Sequence, residues 1–591
     1  MSPLRTALRR LRVSLANAQR RRRFVPPYVY LDLEGEFVDL AEPPPTLPFA
    51  RLFRRFLPAP AGPRTVLAFR RQLERLIADP RVQGVVLHIN CTASAATYQS
   101  LRAEVLRFRA AGKRAVAYAE SLGPFQYYLA CACNQIIMPP SAELNILGLC
   151  DEYAFLKEAL DRLGISAEVV NVSPFKSAGD PFTRTDFSEA SREQAEWLLE
   201  ARFSELVRGI AEGRSLSETR VRELIDQAPF NARQAVEVGL IDAALYEDEI
   251  EGFLQAQPPL PRQSLLGQLF KLALRRLAPE TSAELEERLR RERRGLARFD
   301  EVSRALLITQ PRLSDKAIGI VCLRGLIVSG SSRRLPLPGF GDAVAGSQDI
   351  IAALRAAERD DRIAAVVLYV DSRGGSALAS DLIARAVRRL NERKPVVVYM
   401  GGAAASGGYY VSALARCIVA QPLTITGSIG VITLILNTER ALGQLGIRRR
   451  ALKRGQRADL FSDLAPLTEE RRAVFASLVQ RSYDDFKRIV AEGRKQKQED
   501  LEPICGGRVW TGAQAHARGL VDVLGDARDA VERARALGGL PADREPRLVY
   551  LSTNQTSLLP VSLGSALHWL RDQIRREHVW ALLPWTEPSL S

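Results

Sequence analysis

The sequence predicts an α/β protein made of two tandem copies of one domain, and three observations carry that prediction. The first is length: 591 residues exceed the ~250–300 at which a single hydrophobic core stops growing. The second is an internal repeat. Arg81–Asn90 matches Arg362–Asp371 at an offset of 281 residues, Tyr127-Tyr128 matches Tyr409-Tyr410, Gly148 matches Gly430 and Leu163-Gly164-Ile165 matches Leu445-Gly446-Ile447 at 282, and Asn231–Asp242 matches Thr511–Asp522 at 280. An offset that drifts so little implies duplication. The third is alternation, in which short uninterrupted runs of Val, Ile and Leu separate longer stretches of helical period. Such runs suit strands buried on both faces, so each copy is expected to hold a parallel sheet covered by helices.

Along the chain, residues 1–27 read as an Arg-rich arm in which Leu4, Leu8, Leu11 and Leu15 share one helical face beside Arg5, Arg9, Arg10 and Arg12. That pattern suits an anionic lipid surface or a solvated arm equally. Residues 28–255 form the first repeat. Residues 256–310 read as a helical connector: Pro258, Pro259 and Pro261 open it, an amphipathic stretch at Leu265–Leu277 suits packing on a domain, the favoured reading, or on a lipid surface, and a charged helical run spans Glu284–Arg294. Residues 311–545 form the second repeat. There Ala317–Leu323 reads as a strand, Gln348–Glu358 as a helix, Ile363–Val370 as a strand, Asp381–Asn391 as a helix, Pro395–Met400 as a β-rich run, and Gly407–Ala415 as the opening of a helix. Residues 546–591 form a tail.

Hydrophobic content of 46% and charged content of 26% are globular values. No stretch reaches the ~18–20 apolar residues of a membrane-spanning helix, nor does the start carry the apolar centre of a secretory signal. A peripheral membrane or cytoplasmic location is therefore expected. The net charge of +15 owes more than half to eight arginines and no acid in residues 1–24. With no interleaving of aromatic and basic residues, no nucleic-acid partner is expected. Seven cysteines, an odd number, read as small core residues; Cys131-Ala132-Cys133 lacks the second ligand pair that a zinc site needs.

The informative positions are those where the two copies differ. Met400–Tyr410 reads as a strand end, small residues and a helix start around Ser406, a setting that places a serine oxygen beside backbone N–H groups. The matching residue of the first copy is Pro124. Gly374-Gly375, within Asp371–Ser376, lets backbone approach a ligand, where the first copy has Ala93-Ser94. A serine nucleophile needs a base, and the four histidines are poorly placed: His88 reads as core, His516 lies on a late helix, and His568 and His578 are in the tail. Arginine cannot be deprotonated, which leaves ten lysines. Among them Lys176 stands in Val172–Gly179 with no other charge, a setting for a desolvated amine, and its repeat partner is Ala458. One copy keeps the serine and the other the lysine.

Ala404–Tyr410, Asp371–Ser376, Thr426–Val431 and Phe175–Ala178 together resemble the long, tandem form of the signal peptide peptidase A serine proteases of class S49. The resemblance covers residues 28–255 and 311–545 and implies two Clp/crotonase-like domains. It implies Ser406 as nucleophile, Lys176 as general base where the domains meet, Ser428 as the hydroxyl orienting the amine, and an oxyanion hole from the Gly374/Gly375 loop and Gly407. It further implies no cofactor, substrates that are released signal peptides or other unfolded segments, and a bowl-shaped homo-oligomer, a tetramer. Arg373 stands where this family carries proline, and the family's usual membrane helix is not seen in this sequence. Two other readings follow from the same fold. A catalytically silent scaffold would bind peptides or membrane-associated partners; an acyl-CoA enzyme of crotonase type would leave the division of Ser406 and Lys176 unexplained.

Overall fold

The computed structural model describes residues 13–42, 63–256, 295–309, 312–337, 341–551 and 579–582. Leu4, Leu8 and Leu11, the stretch Leu265–Leu277, and His568 and His578 lie outside the described residues. Each repeat builds its own sheet. In the first the strands run in the order Ala243–Ala244, Gln135–Met138, Arg114–Tyr118, Gly84–Ala93, Tyr28–Val38 and Leu296–Arg298, every neighbour parallel. In the second the order is Val509–Thr511, Ile425–Gly427, Val396–Ala405, Ile363–Ser372, Leu313–Arg324 and Glu545–Tyr550, parallel except for the first pair.

The uninterrupted apolar runs are the central strands of these sheets. Val366–Val370 and Val396–Met400 are fully buried because helices cover both faces. Helices Ser347–Arg359 and Ala377–Asn391 turn Ile350, Leu354, Ile383 and Val387 onto one face, and helix Ala527–Leu537 brings Ala530 and Ala534 to the other. Ser376 caps the helix Ala377–Asn391 by accepting from Ala379 N–H at 3.1 Å, and Ser94 caps Ala95–Ala110 by accepting from Thr97 N–H at 3.1 Å. These matched caps put Ser94 opposite Ser376. Thr92-Ala93, rather than the expected Ala93-Ser94, therefore stands in the first copy where Gly374-Gly375 stands in the second.

Short elements depart from the sequence reading. Inside the expected connector, Leu296–Arg298 adds a strand beside Tyr28–Tyr30, and Phe299, Val302 and Leu306 enter the first core. Glu545–Tyr550 extends the second sheet into the expected tail. Edge strands this short have no periodicity to read. Part of the arginine arm is docked: Asn17 exchanges hydrogen bonds with Ile308 (Nδ2 to O 3.0 Å, Oδ1 from N 2.8 Å), and Arg81 donates to Arg20 O at 2.9 Å. Among the described residues no helix is long and apolar enough to cross a membrane. Six of the seven cysteines are buried; Cys150 is exposed, contrary to its expected place in the core.

A third sheet joins the repeats. Its order is Arg333–Leu337, Gly341–Gly346, Leu326–Val328, Gly374–Ser376, Trp580–Leu582, Ile432–Asn437 and Ser166–Asn171, so the first repeat and the expected tail each contribute a strand. A buried polar seam adds to this joint. Asp39 accepts from Tyr399 Oη and Thr97 Oγ1, both at 2.8 Å, Gln421 Nε2 donates to Ser100 Oγ at 3.0 Å, and Leu423 N–H donates to Gln99 Oε1 at 2.9 Å. Burial pushes the Asp39 carboxyl up to about 6. The seam ties helix Ala95–Ala110 to strand Val396–Ala405, which ends at Ser406.

Candidate active site

Ser406 sits between strand Val396–Ala405 and helix Gly407–Ser412 with φ 56° and ψ −115°, a conformation unusual for a residue with a Cβ. Its N–H donates to Gly427 O at 2.8 Å, and Tyr410 N–H returns to Ser406 O at 2.8 Å, so the turn is held from both ends. The small residues around it are needed for space. A Cβ on Gly407 would lie 2.6 Å from Ser380 Oγ and 3.1 Å from both Gly374 Cα and Gly375 N; one on Gly408 would lie 2.6 Å from Ser372 O.

The Gly374-Gly375 loop is pressed against this turn. Gly374 has φ 105°, and a Cβ on Gly375 would come within 2.0 Å of Ile327 O, so neither position accepts a side chain. Gly374 N–H donates to Ser372 Oγ at 3.1 Å, which commits it internally. Of the three expected oxyanion donors, this leaves the N–H groups of Gly375 and Gly407 as candidates to face a ligand.

Lys176 reaches the serine from the first repeat of the same chain. Its Nζ lies 2.8 Å from Ser406 Oγ, 2.8 Å from Ser428 Oγ and 2.9 Å from Ser428 O. Lys176, Ser406 and Ser428 are all fully buried. Burial holds the amine well below its ordinary pKa of 10.5, and among the described residues no carboxylate offsets it. Ser428, at φ 51°, is fixed by its N–H donating to Arg508 O at 2.6 Å.

The sequence reading did not find what steers Lys176. Segment Gly506–Trp510 of the second repeat wraps its backbone. A Cβ on Gly507 would lie 2.6 Å from Lys176 Cβ, and Ser173 Oγ donates to Gly506 O. Gln194 is fully buried; its Oε1 accepts from Val509 N–H at 2.7 Å while Nε2 reaches Phe175 O at 3.4 Å. Trp197 donates to Val509 O at 3.0 Å and stacks on Trp510 with centroids 5.1 Å apart. No local motif marks Gln194 or Trp197, since their partner lies more than 300 residues away.

The two described histidines, His88 and His516, are elsewhere. His88, expected in the core, is only half-buried. It lies in the middle of strand Gly84–Ala93, with Nδ1 3.2 Å from Asp32 Oδ1 and Nε2 2.8 Å from Glu120 Oε2. Asp32 on the adjacent strand and Glu120 just past the end of strand Arg114–Tyr118, both invisible in the apolar run, account for the difference. Asp32, Glu34 and His88 offer ligand atoms within 4.8 Å of one another, but Arg298 and Arg64 already pair with the two carboxylates. His516 is exposed on helix Gly512–Ala517.

A buried serine on a strand-to-helix turn, with an amine 2.8 Å from its hydroxyl and backbone N–H groups nearby, is an arrangement that can support acyl transfer, carried on a duplicated α/β fold. Comparison with known proteins specifies the class. The family model for peptidase family S49 matches residues 107–256 and 388–540, just over half of the 591 residues, and that for Clp protease matches residues 342–418. The chain belongs to peptidase family S49. It is similar to the chloroplastic serine protease SPPA of Arabidopsis thaliana, with 32% identity over 488 residues that cover 82% of this chain and 68% of that protein. Protease 4 of Haemophilus influenzae is 28% identical over 515 residues (86% of this chain, 78% of that protein), and Protease 4 of Salmonella typhi 31% over 471 (78% and 70%). The chain is thus a peptidase with two Clp/crotonase-like repeats.

Proposed function

We propose that the chain is a serine endopeptidase in which Ser406 is the nucleophile and Lys176 the general base. The observation that carries this reading is the 2.8 Å separation of Lys176 Nζ and Ser406 Oγ, both fully buried. A neutral amine accepts the hydroxyl proton as Oγ attacks the substrate carbonyl carbon. The oxyanion is held by N–H groups of Gly375 and Gly407, while Gly374 shapes the loop. The ammonium then returns the proton to the leaving amine, and water, deprotonated by Lys176, releases the acyl group. Ser428 Oγ and O keep the amine aimed at Oγ.

The substrates are peptides, with released signal peptides and unfolded apolar segments as the expected class. The working form is a homo-oligomer, a tetramer, at or near a membrane surface. The name of the chloroplastic relative, a serine protease, supports the nucleophile type. The test is turnover of an unfolded apolar peptide by Ser406→Ala and, separately, Lys176→Met. Each is expected to lower kcat at least ~10⁴-fold with the thermal transition retained, since members of a nucleophile–base unit act together. Wild-type turnover in either variant would refute the assignment.

A further inference from the structure

The strand Trp580–Leu582 occupies an edge that a substrate would need. It pairs antiparallel with the glycine strand in the register Gly374↔Leu582, Gly375↔Ala581 and Ser376↔Trp580, and on its other side Trp580 pairs with Ile432. Ala377 N–H donates to Val579 O at 3.3 Å, which extends the contact by one residue. The opposite edge of the glycine strand is already taken by Leu326–Val328. Residues 579–582 therefore fill the remaining edge, beside Gly375 and the helix that begins at Gly407. Trp580 is 9% exposed, Val579 packs on the second core, and Ser406 has no solvent exposure at all.

Extended peptides dock on sheet edges through backbone hydrogen bonds, with alternate side chains read by pockets. A scissile carbonyl directed at the N–H groups of Gly375 and Gly407 belongs to such a strand, and one edge holds one strand at a time.

We propose that residues Val579–Leu582 are an internal competitor that holds the substrate seat and must leave before a peptide can reach Ser406. The inference rests on the Ser406/Lys176 reading given above. The segment, Val-Trp-Ala-Leu, also indicates the substrate class: an extended apolar stretch with an aromatic or aliphatic side chain at the position facing Ser376 and Ile432. A pairing of three residues is short for a strand, as suits an occupant that yields. Because the competitor is tethered, its effective concentration is of millimolar order, and it raises the apparent KM while leaving kcat unchanged.

The test compares full-length wild type with Ala581→Pro, which removes an N–H from the short strand, and with Trp580→Gly, which keeps the N–H but removes the buried ring. The substrate is an unrelated fluorogenic apolar peptide. Both variants are expected to show a KM about tenfold lower at unchanged kcat. A synthetic peptide of residues 575–584, added in trans, is expected to inhibit Ala581→Pro competitively without being cut. Ser406→Ala in each background separates the two readings. Turnover that survives it refutes the serine assignment, whereas Ser406-dependent turnover with equal KM in all three proteins refutes only the competitor. Cleavage of the added peptide, detected by mass, also overturns the inference, since the segment would then be a substrate.

Discussion

Gly407→Ala tests the geometry of the proposed oxyanion site without touching a reacting side chain. The added Cβ would stand 2.6 Å from Ser380 Oγ and 3.1 Å from Gly374 Cα and Gly375 N, all closer than ordinary contact. The Ser380 hydroxyl can rotate away, giving up its 2.8 Å bond to Ser376 O. The glycine strand is backbone and is backed by Ile327, whose O would lie only 2.0 Å from a Cβ on Gly375, so it has little room to retreat. Overpacking of this kind costs about 1–3 kcal/mol of stability. It also moves Gly375 N–H away from Gly407 N–H by a few tenths of an ångström. Deleting one oxyanion donor costs about 10²–10³ in kcat, so displacing one is expected to cost about 10- to 100-fold. KM should change little, because these donors engage the charge that develops only in the transition state. The assay is kcat and KM on an unfolded peptide together with thermal unfolding. Gly252→Ala serves as control: that glycine lies on helix Ile250–Ala256 with nothing within 4 Å of its Cβ, and alanine there should add ~0.5–1 kcal/mol of stability at unchanged activity. A Gly407→Ala protein with kcat within about twofold of wild type would refute the reasoning, for the donors would then not depend on this contact.

Further outcomes follow from the buried amine and its clamp. Since Lys176 must be neutral to accept a proton, kcat should rise with pH through the lowered pKa of the amine and fall away below it. The same shift has a stability consequence. Between the lowered folded pKa and the ordinary value of 10.5 the unfolded chain binds the extra proton, so the contribution of Lys176 to stability grows as pH rises. Lys176→Met removes that term, and its stability advantage over wild type should narrow between pH 7 and pH 10 in denaturant titrations; a constant gap would count against a depressed amine. Gln194→Leu strands the Val509 N–H and is expected to cost about 1–3 kcal/mol. It should also shift the acid limb of the pH–kcat profile, which a purely structural residue would leave in place.

How much of this was legible beforehand depends on sequence separation. The repeat, the central strands and the turn at Ser406 are local patterns, and the structure places them within a few residues of where periodicity put them: Ile363–Val370 is observed as Ile363–Ser372, and Gln348–Glu358 as Ser347–Arg359. Lys176, the proposed base, could be singled out because arginine cannot serve as a base and its neighbours carry no charge. Gln194, Trp197 and Gly507 were not, because each acts on backbone from the other repeat. The same holds for His88, whose partners reach it from a neighbouring strand (Asp32) and from the loop after strand Arg114–Tyr118 (Glu120).

By itself the sequence determined the duplication, the parallel α/β class and the division of a serine and a lysine between the copies. These follow from local residue type and spacing, which burial on both faces of a sheet makes obligatory. Only the tertiary structure decided that Lys176 and Ser406 meet within one chain at 2.8 Å, and that Ser166–Asn171 and Trp580–Leu582 share a sheet with the glycine strand. The reason is physical: a hydrogen bond across 230 residues, or the choice of partner for a short edge strand, depends on which surfaces are brought together after each sheet has formed, and no run of neighbouring residues encodes that choice.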